Sequence, residues 1–381
     1  SRIESREGYV NFFFDYQKFS KIVLSEIGKK FNIGLGKKLM VEYSQPNPVH
    51  PIHIGHARST FLGDSLANIL DFVGYKTIRA NYMNDVGLQV AKLVLACTLW
   101  ANGKKPDKKP DMWLWHYYIK FHDEAKSDQK LEDEAHAVLR NYELGDKSVK
   151  KNWDKIVSWC VKGFQETYKK VGVNFDIYFY ESEFREAGKK IVQETLRKHI
   201  SKKTEDGAIF TDLEKYGLPG TILLRSDGTG LYITSDLGLT AHKFSKYKIE
   251  KSIWVVSSQQ DLHFKQLFKL LELLGYKFYK DCQHFSYESV QLQEGKMSSR
   301  EGRAVMVDEV VDKLINLAYK EVEKRNPKMP ESKKKKIAEQ IGIGALKYAI
   351  VRIEPQNQIT FDWDRMLSLE GNTGPYLQYA H

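Results

Sequence analysis

Only three cysteines occur in 381 residues, and Cys97, Cys160 and Cys282 stand far apart without forming a C-x-x-C pair. That scarcity argues against a disulfide framework or a cysteine-built zinc site and fits idle thiols in a reducing, cytoplasmic setting. No apolar run is long enough to span a bilayer, and the amino terminus has no signal-like character, so no membrane association is expected. No repeat period appears. There is no acidic excess either, since 59 Lys and Arg against 49 Asp and Glu leave a net charge of +10. This sign is compatible with a polyanionic partner that sheds counterions on binding. Much of the excess lies in short lysine clusters, GKKPDKKP from Gly103, KKTED from Lys202 and KKKK at Lys333 to Lys336, whose ordinary fate is a solvated surface.

The length predicts two compact units or one enzyme domain carrying an insertion. YVNFFFDY from Tyr9 and the amphipathic FSKIVLSEI read as strand then helix, the remnant of a preceding domain over residues 1–38. LMVEYS from Leu39 reads as a buried strand, PNPVHPIHIG as a proline-stiffened loop, HARSTFLGDSLANILDFVG as a helix and KTIRANYM as a second strand. That succession is the βαβ unit of a parallel sheet. Charged, Trp- and Tyr-bearing helical segments over about 101–170 suggest an insertion between two halves of the sheet. NFDIYFYESEF resumes strand character, GAIFTDLEKYGLPGTILLRSDGTGLYITSD looks like β-hairpins with SDGTG as a turn, and SIWVVS and CQHFSY read as further strands. From Val307 the pattern is predominantly helical. The expectation is an α/β protein: a Rossmann-type parallel-sheet unit over 39–306, followed by a helical segment over 307–381. The start at Ser1 and the polar stop at His381 lead to the further expectation that the chain is a fragment.

His50, His53 and His56 crowd the loop before the first helix. An i, i+3, i+6 histidine series across prolines lacks a fourth zinc ligand and the H-E-x-x-H pattern. A loop of backbone-bonded histidines is the plainer alternative, but it leaves Gly55 unexplained. A third reading puts HIGH at the first turn of a helix, where unpaired N–H groups and the helix dipole favour a phosphate and a glycine lets a nucleotide ring approach the backbone. A second glycine-flanked loop, GKMSSREG, carries Lys296 and Arg300. The HIGH and KMS pair is far more specific than either part.

On these motifs, together with VEYSQPN, NYMNDVGLQ, LYITSDLG, SSQQDLHFKQL and GNTGPYLQYAH, the sequence resembles the arginyl-tRNA synthetases of class I, from roughly Tyr9 to His381. The resemblance implies ATP-dependent joining of L-arginine to tRNA(Arg) through an arginyl-adenylate, with Mg2+ carried by the ATP phosphates. It also implies an anticodon-binding domain expected past His381. His53, His56, Lys296 and Arg300 would be catalytic, and His53, Gly55, His56, Lys296, Met297 and Ser298 would bind ATP. Ser299 stands where the commonest loop signature has a second lysine, so Arg300 would supply that charge. Glu42, Ser44, Asn47, His56, Glu181, Tyr232, Asp236 and Gln260 would surround arginine. Tyr232 and Asp236 lie four apart, so a helical turn there sets both on one side. Glu181 as a solvated loop residue and Asp85, near Gln89, as a helix cap are the bland alternatives. Another HIGH-type nucleotidyl transferase, or a catalytically silent RNA-binding relative, remains the rival reading.

Overall fold

The computed structural model describes residues 2–29, 31–292, 304–361 and 371–381. An antiparallel hairpin, β1 (Arg2–Arg6) and β2 (Tyr9–Phe13), precedes helix α1 (Tyr16–Glu26), which Asp15 caps by accepting from the Gln17 and Lys18 amides. The chain then enters the sheet through β3 (Lys38–Glu42), α2 (Ile54–Phe72) and β4 (Lys76–Met83). Four helices follow: α3 (Leu88–Trp100), α4 (Pro110–Glu124), α5 (Lys130–Glu143) and α6 (Lys147–Lys170). They lead into β5 (Ile177–Tyr180) and α7 (Glu181–Arg197).

A small antiparallel sheet of β6 (Lys202–Lys203), β7 (Ile209–Thr211) and β8 (Thr221–Leu224) comes next. The turn expected at SDGTG forms, the Arg225 amide donating to the Thr229 carbonyl at 2.9 Å, but the strand expected beyond it does not. The segment contributes one isolated bridge, Leu224 to Gly230, and α8 (Tyr232–Tyr247) begins at once. β9 (Lys251–Ser257), α9 (Asp261–Leu274), β10 (Cys282–Tyr287) and β11 (Val290–Leu292) carry the chain to α10 (Val307–Arg325) and α11 (Glu331–Val351). A short β12 (Ile359–Phe361) pairs in parallel with β11, and helix Gly374–Ala380 closes the described chain.

Five strands form one parallel sheet in the order β10-β9-β3-β4-β5. The order reverses direction between β3 and β9, and in such doubly wound sheets ligands bind outside the carboxyl ends of the strands at that reversal. Both faces are covered. Leu39, Val41 and Tyr43 pack with α2 residues such as Ala57 and Phe61, whereas Met40 packs with Ala80, Tyr82, Phe179 and Leu239. Burial on both sides explains why β3 and β9 read as nearly continuous apolar runs.

α7 and α8 touch backbone to backbone. A Cβ on Gly188 would lie 1.9 Å from the Thr234 carbonyl oxygen, and one on Gly238 would lie 2.7 Å from the Gly188 nitrogen. No side chain fits there, so these two glycines set how closely Glu181 and Asp236 approach.

Arg58, on the helix that carries HIGH, is fully buried. Its guanidinium donates to the carbonyls of Ile350, Ile353, Glu354 and Asn357 at 2.5, 3.1, 2.8 and 3.4 Å. It therefore ties the last turn of α11, through Ile350, where unpaired carbonyls and the negative end of the helix dipole collect, to the segment that follows the helix. Replacing it leaves buried acceptors unsatisfied, so Arg58→Met is expected to cost about 3 kcal/mol or more in urea unfolding. Lys335→Gln, which removes an exposed ion pair with Glu331, is expected to change stability by under about 0.5 kcal/mol.

Candidate active site

At the carboxyl edge of β3, His53 is the N-cap of α2, its Nδ1 accepting from the Gly55 amide at 3.1 Å. His56, one turn on, accepts the His53 amide at Nδ1 at 3.4 Å. Their rings stack with centroids 3.8 Å apart, and His50 lies 5.4 and 5.6 Å from them. Burial, reinforced by the neighbouring imidazoles, pushes His53 down to about 3 and His56 well below its ordinary value. With Nδ1 accepting, a neutral ring carries its proton on Nε2, which is the atom left to donate to a phosphate oxygen.

The three histidines bring nitrogens within 4.8 Å of one another. Their rings are tilted by only 21 to 24°, so the in-plane lone pairs run side by side and do not converge as tetrahedral zinc ligation requires. Nitrogen donors are also a poor match for magnesium, which prefers oxygen.

Val305 and Met306 return to this helix. The Ile54 amide donates to the Val305 carbonyl and the Val307 amide to the Ile52 carbonyl, both at 2.9 Å, around a bridge from His53 to Met306. The stretch that follows GKMSSREG thus lies against the HIGH turn.

Beside the histidines is a group of carboxyls. Glu42 ends β3, Asp85 follows β4, Glu181 opens α7 after β5, and Asp236 sits on the second turn of α8. The Tyr82 hydroxyl is buried among them, without a hydrogen-bond partner among the described residues. Burial, with the charges of Asp236, Glu181, Glu42 and Asp85, holds it well above its ordinary value.

Three of the four acids have partners. Lys243 is fully buried and meets Glu42 at 2.5 Å, Asp85 accepts the Ser182 amide and hydroxyl at 3.0 and 2.7 Å, and Asp236 contacts His263 at 2.6 Å. Glu181 has none among the described residues for its buried Oε2. Desolvation first, then Asp236 and Asp85, pushes its carboxyl up to about 8. A buried carboxyl with no donor among the described residues, flanked by further carboxylates, has the chemistry to accept a cation with several N–H groups.

A family model described as tRNA synthetases class I (R), catalytic domain, matches residues 19–363. The chain belongs to this family. It is 37% identical to an arginine–tRNA ligase of Halothermothrix orenii and 36% identical to one of Clostridium perfringens; each match spans all of this chain and 68% of the relative. Its structure superimposes on the arginyl-tRNA synthetase of Thermus thermophilus with a TM-score of 0.87 at 25% identity, over all of this chain and 68% of that one. The Plasmodium falciparum arginyl-tRNA synthetase shares the fold, with a TM-score of 0.81 at 19% identity over 99% of this chain and 66% of that one.

In this class I (R) synthetase chain, Glu42, His56, Glu181 and Asp236 gather at one edge of the sheet. Tyr232, at the start of α8, is 64% exposed and coupled electrostatically to Glu181. Asn47 and Gln260 are exposed at the same carboxyl edge. Ser44 lies deeper, its hydroxyl shared with Thr60 at 2.8 Å and Tyr168 at 2.7 Å. Asp85 fastens Ser182 at the start of α7, and Gln89 is bonded to Tyr118. Glu181 is the first residue of a helix and buried, not a solvated loop residue. Lys296, Met297, Ser298, Ser299 and Arg300 lie outside the described residues.

Tyr82, Lys243 and His263 were not singled out from the sequence. Lys243 lies seven residues after Asp236, on the same face of α8, which is a usable signal.

Because His53 and His56 stay neutral when folded but take protons in the unfolded chain below about pH 6.5, unfolding binds protons there and stability falls as pH drops from that value toward 3. Proton NMR is expected to show both rings still neutral at about pH 5; a cationic His53 at that pH would contradict the assignment.

Proposed function

We propose that this chain is the catalytic part of an arginine–tRNA ligase, with the clustered carboxyls as the arginine receptor and the histidine turn as the phosphate site. The observation that carries the reading is the buried, unpartnered Glu181 beside Asp236. A guanidinium is a planar fork of five donors that two carboxylates and a tyrosine oxygen can satisfy together, whereas an ammonium offers three donors at one point. Asp236 and Glu181 take the guanidinium, with Tyr232 over its face. Glu42, held by Lys243 and by Gln45 at 2.8 Å, faces the other end of the amino acid with Asn47, Ser44 and Gln260.

In the first step the arginine carboxylate oxygen attacks the α-phosphorus of ATP, a P–O bond forms, and pyrophosphate leaves. The adenosine 2′-hydroxyl at the tRNA end then attacks the activated carbonyl and AMP departs. Neither step needs a protein nucleophile, so the protein acts by positioning and by stabilising charge. His53 and His56 donate through Nε2 to phosphate oxygens beside Gly55. Lys296 and Arg300, with Met297 and Ser298, close over the pyrophosphate, a role supported by the return of Val305 to the HIGH helix. Magnesium enters as part of the ATP substrate.

Residues 39–306 serve as the catalytic unit, with about 101–170 inserted, and 307–381 as a helical segment joined to it through Arg58. The +10 charge suits tRNA as a partner. Free thiols at all three cysteines fit a reducing, cytoplasmic setting, and no described helix is long and apolar enough to cross a membrane.

Equilibrium dialysis with labelled L-arginine, in the presence of a non-hydrolysable ATP analogue, tests the receptor. L-lysine and citrulline are expected to compete poorly, and Asp236→Ala and Glu181→Gln each to lose about 1.5–3 kcal/mol of binding. Equal competition by lysine in a folded sample would refute the arginine reading.

A further inference from the structure

His263 lies on the first turn of α9, three residues beyond Gln260, and brings Nε2 to within 2.6 Å of Asp236 Oδ2. Both side chains are largely buried, at 22% and 20% exposure. A carboxylate's terminal torsion is broad and roughly two-fold, so one short contact to one oxygen decides how the group is turned. That contact takes Oδ2 alone and leaves Oδ1 for a ligand. Removing the imidazole would leave the carboxylate free to rotate beside Glu181 and Glu42, whose carboxyls its charge pushes up.

We propose that His263 is the positioning residue for arginine recognition: its Nε2–H holds Asp236 by Oδ2, and its neutral form is the one that favours the guanidinium. The inference rests on the arginine reading above and deepens it.

The charge argument gives the sign. An imidazolium at His263 would neutralise Asp236 and compete with the incoming cation, while a neutral imidazole keeps the hydrogen bond and leaves the carboxylate its full charge. Burial pushes His263 down, but the Asp236 contact outweighs it and leaves the ring raised above its ordinary value. The groups facing His263 are Asp236 from α8 and His284 from β10, with Asp261 on its own helix. His284 is pushed down, chiefly by burial; it lies 3.3 Å from Asp261 through Nδ1 and 2.9 Å from the Val256 carbonyl through Nε2. In the free protein, therefore, the His263 cation persists above about pH 6.5, and arginine affinity climbs as pH rises and the ring loses its proton. Glu181 adds a second rise toward pH 8, which variants of His263 retain.

The test is a calorimetric titration of the whole chain with L-arginine and a non-hydrolysable ATP analogue, between about pH 6 and 9, for wild type, His263→Ala and His263→Gln. His263→Ala is expected to bind arginine about tenfold more weakly near neutral pH, with affinity for the ATP analogue unchanged. His263→Gln, which keeps an N–H donor without a titrating ring, is expected to remain within about threefold of wild type and to lose the lower limb of the pH profile. If His263→Ala misfolds by circular dichroism, the glutamine variant decides through that limb. Wild-type affinity and an unaltered pH profile in a folded variant would overturn the proposal while the arginine reading stands. If the wild type shows no preference for arginine over lysine, the arginine reading falls and this proposal with it.

Discussion

Four carboxyl groups and one tyrosine hydroxyl are held in a space too dry for their charges, and the surrounding structure is organised by how that repulsion is met. Glu42 is answered by Lys243, itself capped by the Trp254 ring at 4.3 Å. Asp85 is answered by Ser182 and Asp236 by His263. Glu181 is the residue left over. In a native protein a buried polar group without a partner calls for an explanation, and a cationic ligand supplies one. The fold can sustain the arrangement because the acids come from the ends of separate strands and helices, each fixed by its own core.

The same edge of the sheet also holds the opposite chemistry. Two neutral histidines, fixed by backbone amides on Nδ1, sit at the positive end of α2, where phosphate is welcome. On the proposed reading, an acidic receptor and a phosphate site at one edge suit an amino acid whose side chain is cationic and whose carboxylate must meet a phosphorus atom. The two halves are joined mechanically. β3 carries Glu42 directly into the loop that becomes the histidine turn, and Val305 binds that turn to the chain leaving the GKMSSREG stretch. Arg58, two residues past HIGH, ties the same helix to the end of α11.

Much of this was legible in the sequence. The β3, α2 and β4 succession followed from an apolar run, a proline-stiffened loop and a 3.6-residue period; one turn of helix set Tyr232 and Asp236 on one side, while the family resemblance is what pointed to them as site residues. The turn expected at SDGTG formed, but the strand expected after it did not, for a reason propensity does not encode. LYITSD has the aromatic and β-branched content of a strand, but Thr234 donates to the Leu223 carbonyl and α8 seats against Gly188, so tertiary packing overrode the local preference. The burial of Glu181 was equally hidden, because it depends on two glycines fifty residues apart, Gly188 and Gly238, letting α7 and α8 meet. Lys243 and His263 lay in plain view as ordinary surface types until the fold turned them inward.

The most direct measurement of the central claim is the proton balance of arginine binding at about pH 7, obtained by calorimetry in buffers of different ionisation enthalpy. A carboxyl held up near 8 is mostly protonated in the free protein, and a guanidinium placed against it makes the carboxylate the favoured form. Release of protons on arginine binding is the expected result, smaller in Glu181→Gln by the ~1 proton that Glu181 supplies, with the His263 share remaining. No release, or uptake of a proton, would contradict the assignment of Glu181 to the cationic end of the ligand.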